Sequence, residues 1–143
     1  MRKKFLYIIL VLYLLLLIKL IVFKYPFGIT FSFINANLIP FKTILGYISG
    51  EPTWKIAMRN LLGNIILLIP LGFLFAGIYQ KLKWKGVLLV GLITGTILES
   101  LQILFRSGIF DVDDILLNFV GVFMGYLLFI YFSNVLKKNY KKE

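Results

Sequence analysis

The chain has 143 residues, of which 60% are hydrophobic and 15% charged, with no cysteine or histidine and a formal net charge of +10. Soluble domains are roughly 45–50% apolar and about 25% charged, and one domain of this length cannot bury so much apolar surface. Its mean hydropathy of +0.93 assigns it to lipid. The composition excludes disulfides, thiolate chemistry, Cys-based metal sites and imidazole acid–base catalysis, and no cofactor is expected.

A bilayer core about 30 Å thick requires roughly 20 apolar residues of helix. Four stretches satisfy this: 5–23, 60–78, 86–105 and 115–132. The first follows Arg2, Lys3 and Lys4. Its apolar run is too long for a signal peptide and no small-residue cleavage site follows, so it reads as an uncleaved anchor. Lys24 to Arg59 then forms a long loop rich in Phe, Tyr, Ile and Trp54, suited to a short helix lying flat at the membrane interface. The expected fold is all-α, a single membrane domain over residues 1–143 with four spans.

Orientation follows from Lys and Arg beside the spans. Arg2, Lys3, Lys4, Lys81, Lys83, Lys85, Lys137, Lys138, Lys141 and Lys142 fall on one side, ten in all, against five on the other: Lys24, Lys42, Lys55, Arg59 and Arg106. The richer side is expected to be cytoplasmic, giving N-in and C-in. Lys19 lies within the first span and snorkels to the surface. Glu51, Glu99, Asp111, Asp113 and Asp114 all fall in the outer half. Basic clusters beside apolar runs are a membrane pattern, and no nucleic-acid partner is expected. Lys137 to Lys142 are expected to meet anionic lipid heads.

Polar groups inside a span are costly and seek partners on other helices. The second span carries Asn60 and Asn64, four apart and on one face. Glu99, Gln102 and Arg106 share a face of the third span. The fourth opens with Asp111, Asp113 and Asp114, and Asn118 lies four beyond Asp114. With N-in topology, Asn64, Glu99 and Asn118 fall roughly 5–10 Å below the outer boundary, which points to one outward-facing pocket. Plainer roles exist for each part. Asn64 and Asn118 suit interhelical hydrogen bonding worth about 0.6 kcal/mol apiece. Glu99 and Arg106 suit a structural ion pair. The aspartates suit a helix N-terminus. Gly91 with Gly95, and Gly121 with Gly125, suit close helix packing. Pro70 removes one backbone donor from the second span, a loss that neighbouring groups can make good.

The same residues carry a family pattern. Asn37-Leu38-Ile39-Pro40-Phe41 is followed by Asn60-Leu61-Leu62-Gly63-Asn64, running on to Pro70-Leu71-Gly72. Then come Glu99-Ser100-Leu101-Gln102 with Arg106, and Asp113-Asp114-Ile115-Leu116-Leu117-Asn118 with Gly121 and Gly125. In this order the motifs resemble the VanZ-like family of bacterial membrane proteins. The resemblance implies the bacterial cytoplasmic membrane, an outward role near the cell envelope, and a link to teicoplanin resistance, known for the family's best-known member. It implies no settled enzymatic activity. Carried over by position, it points to Asn60, Asn64, Glu99, Gln102, Arg106, Asp114 and Asn118 as binding residues. Asp111 and Asp113 fit it less firmly.

Three functions compete. The first is a non-enzymatic envelope protein binding a lipoglycopeptide, a lipid-linked precursor or another amphipathic ligand, with membrane lipids as its surroundings. The second is an enzyme on a lipid-linked envelope precursor, with Glu99 as general base, Arg106 holding a phosphate, and Asp111, Asp113 and Asp114 as oxygen ligands for a hard cation. No nucleophile stands out for it. The third is a small transporter, for which four spans are few, no inverted repeat is evident, and a homo-oligomer would have to supply further helices.

Overall fold

The computed structural model describes residues 2–22, 36–81 and 83–139. It is all-α: α1 (Arg2–Val22), α2 (Lys42–Ile48), α3 (Trp54–Ile78), α4 (Trp84–Leu104) and α5 (Val112–Asn139). The first part of the expected interfacial loop, with Lys24, and the tail residues Lys141, Lys142 and Glu143 lie outside the described residues. Helices α3, α4 and α5 are long and apolar enough to cross a membrane. α1 is 21 residues long but carries Arg2, Lys3, Lys4 and Lys19 within it.

Two boundaries differ from the sequence expectation. α3 begins six residues before Asn60, because the Thr53 hydroxyl accepts the Ile56 N–H at 3.4 Å and caps the helix there. α5 runs on past Phe132 to Asn139. At 1.5 Å per residue its 28 residues reach about 42 Å, beyond an apolar slab of about 30 Å. Its terminal turns, with Lys137 and Lys138, therefore extend past the apolar zone.

α3 and α5 run parallel and form the most intimate pair in the bundle. Gly121 lies on the carbonyl of Ile65, Gly125 on the carbonyl of Ile69, and Gly72 on the carbonyl of Val122. α4 runs antiparallel along the other side of α5. A Cβ on Gly91 would come within 3.2 Å of the Phe119 Cα, and one on Gly95 within 3.2 Å of the Ile115 Cα. Small residues thus let the backbones approach to a distance at which dispersion and weak hydrogen bonds operate. α1 packs antiparallel on α3, with Leu10 and Leu17 in one core with Leu68, Leu71, Ile78, Val87, Leu98 and Val122. α3 stays helical through Pro70. In the turn before it the Leu67 carbonyl accepts the Tyr13 hydroxyl, a hydrogen bond that ties α1 to α3.

This arrangement segregates charge. One end of the bundle gathers Lys3, Lys4, Lys81, Lys83, Lys85, Lys137 and Lys138 without a described carboxylate; the other holds Glu51, Glu99, Asp111, Asp113 and Asp114 together with Lys42, Lys55, Arg59 and Arg106. Between them, large apolar side chains such as Leu12, Leu15, Leu89, Ile93, Ile97 and Leu127 are exposed.

The glycine contacts give a discriminating expectation. Gly125→Ala forces a methyl into backbone atoms of α3 and should lower stability in detergent by at least about 2 kcal/mol. Gly63 has nothing within 4 Å of an added Cβ, so Gly63→Ala should be neutral or stabilise by up to about 1 kcal/mol. Thermal unfolding of both variants checks the pair, and equal effects would contradict the packing.

Candidate functional site

The polar end is organised by three aspartate-bearing positions at the start of α5. Asp111 precedes the helix and acts as its N-cap: Oδ1 accepts the Asp113 N–H at 2.8 Å. The same oxygen accepts the Asn37 amide N–H at 2.9 Å. Asn37 and Asp111 also form a parallel β-bridge, with Asn37 N–H donating to the Phe110 carbonyl at 2.9 Å and Val112 N–H to the Asn37 carbonyl at 3.0 Å. The Asn37 side chain donates further to the Thr43 hydroxyl at 2.9 Å. The outer-loop motif is thereby sewn to the head of α5.

Asp113 is fully buried, and its carboxylate caps a different helix. Oδ1 accepts the Phe41 N–H at 2.6 Å, while Oδ2 accepts Thr43 N–H at 2.7 Å and Ile44 N–H at 3.1 Å. The reason lies in α2. Its N-cap position is Phe41, whose side chain makes no cap hydrogen bond, so the first turn needs an acceptor from elsewhere. Phe41 itself turns the chain at φ 68°, a left-handed conformation that three charge-assisted hydrogen bonds at the carboxylate help to hold.

Glu99 lies directly beneath. It is 2% exposed and its Oε2 accepts the Asp111 N–H at 3.0 Å. Gln102, one turn further along α4, is buried under the α4–α5 loop, where Ser107 donates its N–H to the Gln102 carbonyl at 2.9 Å. Arg106 N–H meets the Ile103 carbonyl at 3.0 Å, and Arg106 adopts φ 50°. Together these two bonds and the left-handed residue make a Schellman ending. Arg106 therefore occupies the place where glycine is usual, with its side chain exposed.

The remaining amides lie deeper. Asn118 is seven residues along α5 from Asp111, about 10 Å at 1.5 Å per residue. Asn64 precedes Ile65, whose carbonyl touches Gly121, so it reaches a similar level on α3. Asn64 and Asn118 are 6% and 2% exposed, and Asn64 Nδ2 and Asn118 Oδ1 have no hydrogen-bond partner among the described residues. Asp114, half-buried, stands one turn above Asn118 on the same face of α5. The polar residues thus form a stepped column of two levels rather than one layer. The difference arises because Glu99 packs at the very head of α5, above Asn118. Asn60 stands apart, bound through Nδ2 to the Tyr47 hydroxyl of α2 at 3.0 Å.

The carboxylates that the enzyme reading names as cation ligands are largely engaged with backbone and side-chain donors. Both Asp113 oxygens and Asp111 Oδ1 already accept N–H donors. Among the described residues no group of three or more His, Cys, Asp or Glu is arranged to hold a metal ion. Asn37, Thr43 and Tyr47 are the site residues that sequence reasoning passed over. Asn37 stood in a recognised motif, but its partner Asp111 is 74 residues away and no local spacing reveals it.

Asp113→Asn should release α2. Hydrogen bonds to charged groups contribute about 1.5–3 kcal/mol each, so exchange of the Phe41, Thr43 and Ile44 amides should quicken by tenfold or more, and unchanged exchange would refute the capping role. Arg106→Gly should raise stability by roughly 1 kcal/mol, since it relieves a left-handed non-glycine residue; a loss of stability would show that the guanidinium holds the fold.

No solved structure matches the chain significantly. Over 124 residues it is 28% identical to Protein VanZ of Enterococcus faecium, covering 84% of this chain and 70% of that protein. The VanZ/LLP1 family model matches residues 10–134, which contain every motif from Asn37 to Gly125, and the chain belongs to the VanZ/LLP1 family.

Proposed function

We propose that this VanZ-family membrane protein crosses the bacterial cytoplasmic membrane four times, with both ends inside, and binds a lipid-linked or amphipathic envelope ligand at its outward polar column, so altering lipoglycopeptide access. The observation that carries the reading is the pair Asn64 Nδ2 and Asn118 Oδ1. A buried amide atom without a partner costs about 1–3 kcal/mol, a cost that a membrane protein retains where a ligand or ordered water completes the site. One atom is a donor and the other an acceptor, which suits a hydroxyl, amide or sugar group.

The surroundings suit the rest of such a ligand. Leu38, Ile39, Phe41, Leu45, Ile48 and Trp54 are each 59–69% exposed on and beside α2. This apolar rim, clamped through Asp113 next to the column, offers a bed for acyl chains. Lys42 and Glu51 face a cavity of ≈ 450 Å³ behind α2 with Thr43, Gly46, Tyr47 and Pro52, adding charged groups of both signs at the mouth.

The topology is checked by introduced cysteines, since the chain has none of its own. Ser49→Cys should react with an impermeant maleimide added to intact cells, and Lys138→Cys only after permeabilisation; the reverse pattern would invert the orientation. The binding site is checked by teicoplanin susceptibility of a sensitive host expressing wild type, Glu99→Gln or Asn118→Leu at matched membrane levels. Wild type should raise the inhibitory concentration several-fold, and each variant should abolish most of that gain. Equal protection by all three would sink the pocket.

A further inference from the structure

The lysine end of the bundle holds a cavity of ≈ 410 Å³ lined by Lys3, Ile78, Tyr79, Gln80 and Lys81. It is remote from the polar column. Lys3 comes from the first turn of α1, and Gln80 and Lys81 from the turn after α3. Two cations from separate elements therefore meet at one hollow. Lys85, by contrast, sits 5.6 Å from the centroid of the Trp84 ring, engaged with an aromatic face.

Nothing described at this end balances the charge. The seven described lysines named above gather here, while all five described carboxylates lie at the opposite end. Among the described residues no acidic side chain meets these lysines, so a group from outside can neutralise them. The cavity wall says what kind. Ile78 is 2% exposed beneath it, and the Tyr79 ring packs edge-on against Tyr7 with centroids 6.2 Å apart. A hydrogen bond with Tyr7 holds the Tyr79 phenol above its ordinary pKa. Tyrosines, an amide and paired ammonium groups above an apolar floor match the headgroup level of a bilayer, where basic pockets between helices bind phosphate heads.

We propose that this cavity is a site for one anionic phospholipid, its phosphate between Lys3 and Lys81 and its glycerol backbone against Tyr79 and Ile78. A free phosphate shares the charge chemistry but has no use for the apolar floor. The site needs α1 to lie beside α3 in the membrane; it does not depend on the polar column binding anything.

The test uses the full-length protein purified in a neutral detergent, with bound lipid counted by native mass spectrometry during titration with phosphatidylglycerol or phosphatidylcholine. Wild type should hold phosphatidylglycerol on the order of tenfold more tightly than phosphatidylcholine. Lys3→Gln with Lys81→Gln should erase that preference. Lys137→Gln with Lys138→Gln removes the same charge from the same end and should change it less than about twofold. Millimolar inorganic phosphate should leave phosphatidylglycerol bound. Equal losses in the two double variants would reduce the effect to diffuse charge and overturn the site. Complete displacement by inorganic phosphate would overturn the lipid in favour of a free anion. Both lysines of the first variant are exposed, so its unfolding temperature should match wild type.

Discussion

The carboxylate of Asp113, fixed between the backbone N–H groups of Phe41, Thr43 and Ile44, is the constraint on which the polar end depends. A seven-residue helix has no stability of its own in isolation, and α2 buries no residue of its own. It exists because an acid from another helix meets its unpaired donors and because a parallel bridge from Asn37 to Asp111 pins the chain just before it. Glu99 completes the arrangement from below by accepting the Asp111 N–H. Four of the most polar residues in the chain are thereby committed to joining α2, α4 and α5, and the apolar face of α2 is held at a set position beside the bundle.

That bundle in turn depends on glycine. α3 and α5 touch backbone to backbone at Gly72, Gly121 and Gly125, and α4 reaches α5 at Gly91 and Gly95. Such closeness leaves little room for side chains between the helices, so the polar ones that remain are confined to a narrow column. The two ends of that column differ in kind. Its head is a network in which Asp111, Asp113 and Glu99 accept backbone N–H groups. Its lower level contains amide atoms without partners among the described residues. A structural network and a binding surface can share neighbours without sharing a task, and the division between them runs through Asp114.

Charge segregation adds a second theme. The carboxylates are spent at one end on helix termini, where the backbone dipole favours them. At the other end Lys137 and Lys138 stand in the last turn of α5, where the same dipole favours cations, while Lys3 and Lys4 stand at the start of α1, where it does not. Lysines clustered beside apolar helices are the pattern by which the positive-inside rule orients such chains.

What the sequence determined by itself is what depends on local patterning. Apolar run length marked the helices, glycine spacing marked their contacts, the family motifs marked Asn64, Glu99, Gln102 and Asn118 as inward residues, and acids before an apolar run marked the start of α5. These are read within a few residues of one another. Tertiary structure alone decided the rest. Asp113, the acid that fitted the family pattern less firmly, became the central acceptor because α2 begins with a residue that cannot cap itself. Arg106, which the enzyme reading casts as a phosphate ligand, also forms the left-handed end of α4. The expected single layer became two levels, because the offset between α4 and α5 is set by where Gly95 meets Ile115. Partnerships across about 70 residues of chain leave no periodicity in the sequence, since they are fixed by packing between helices rather than by spacing along one.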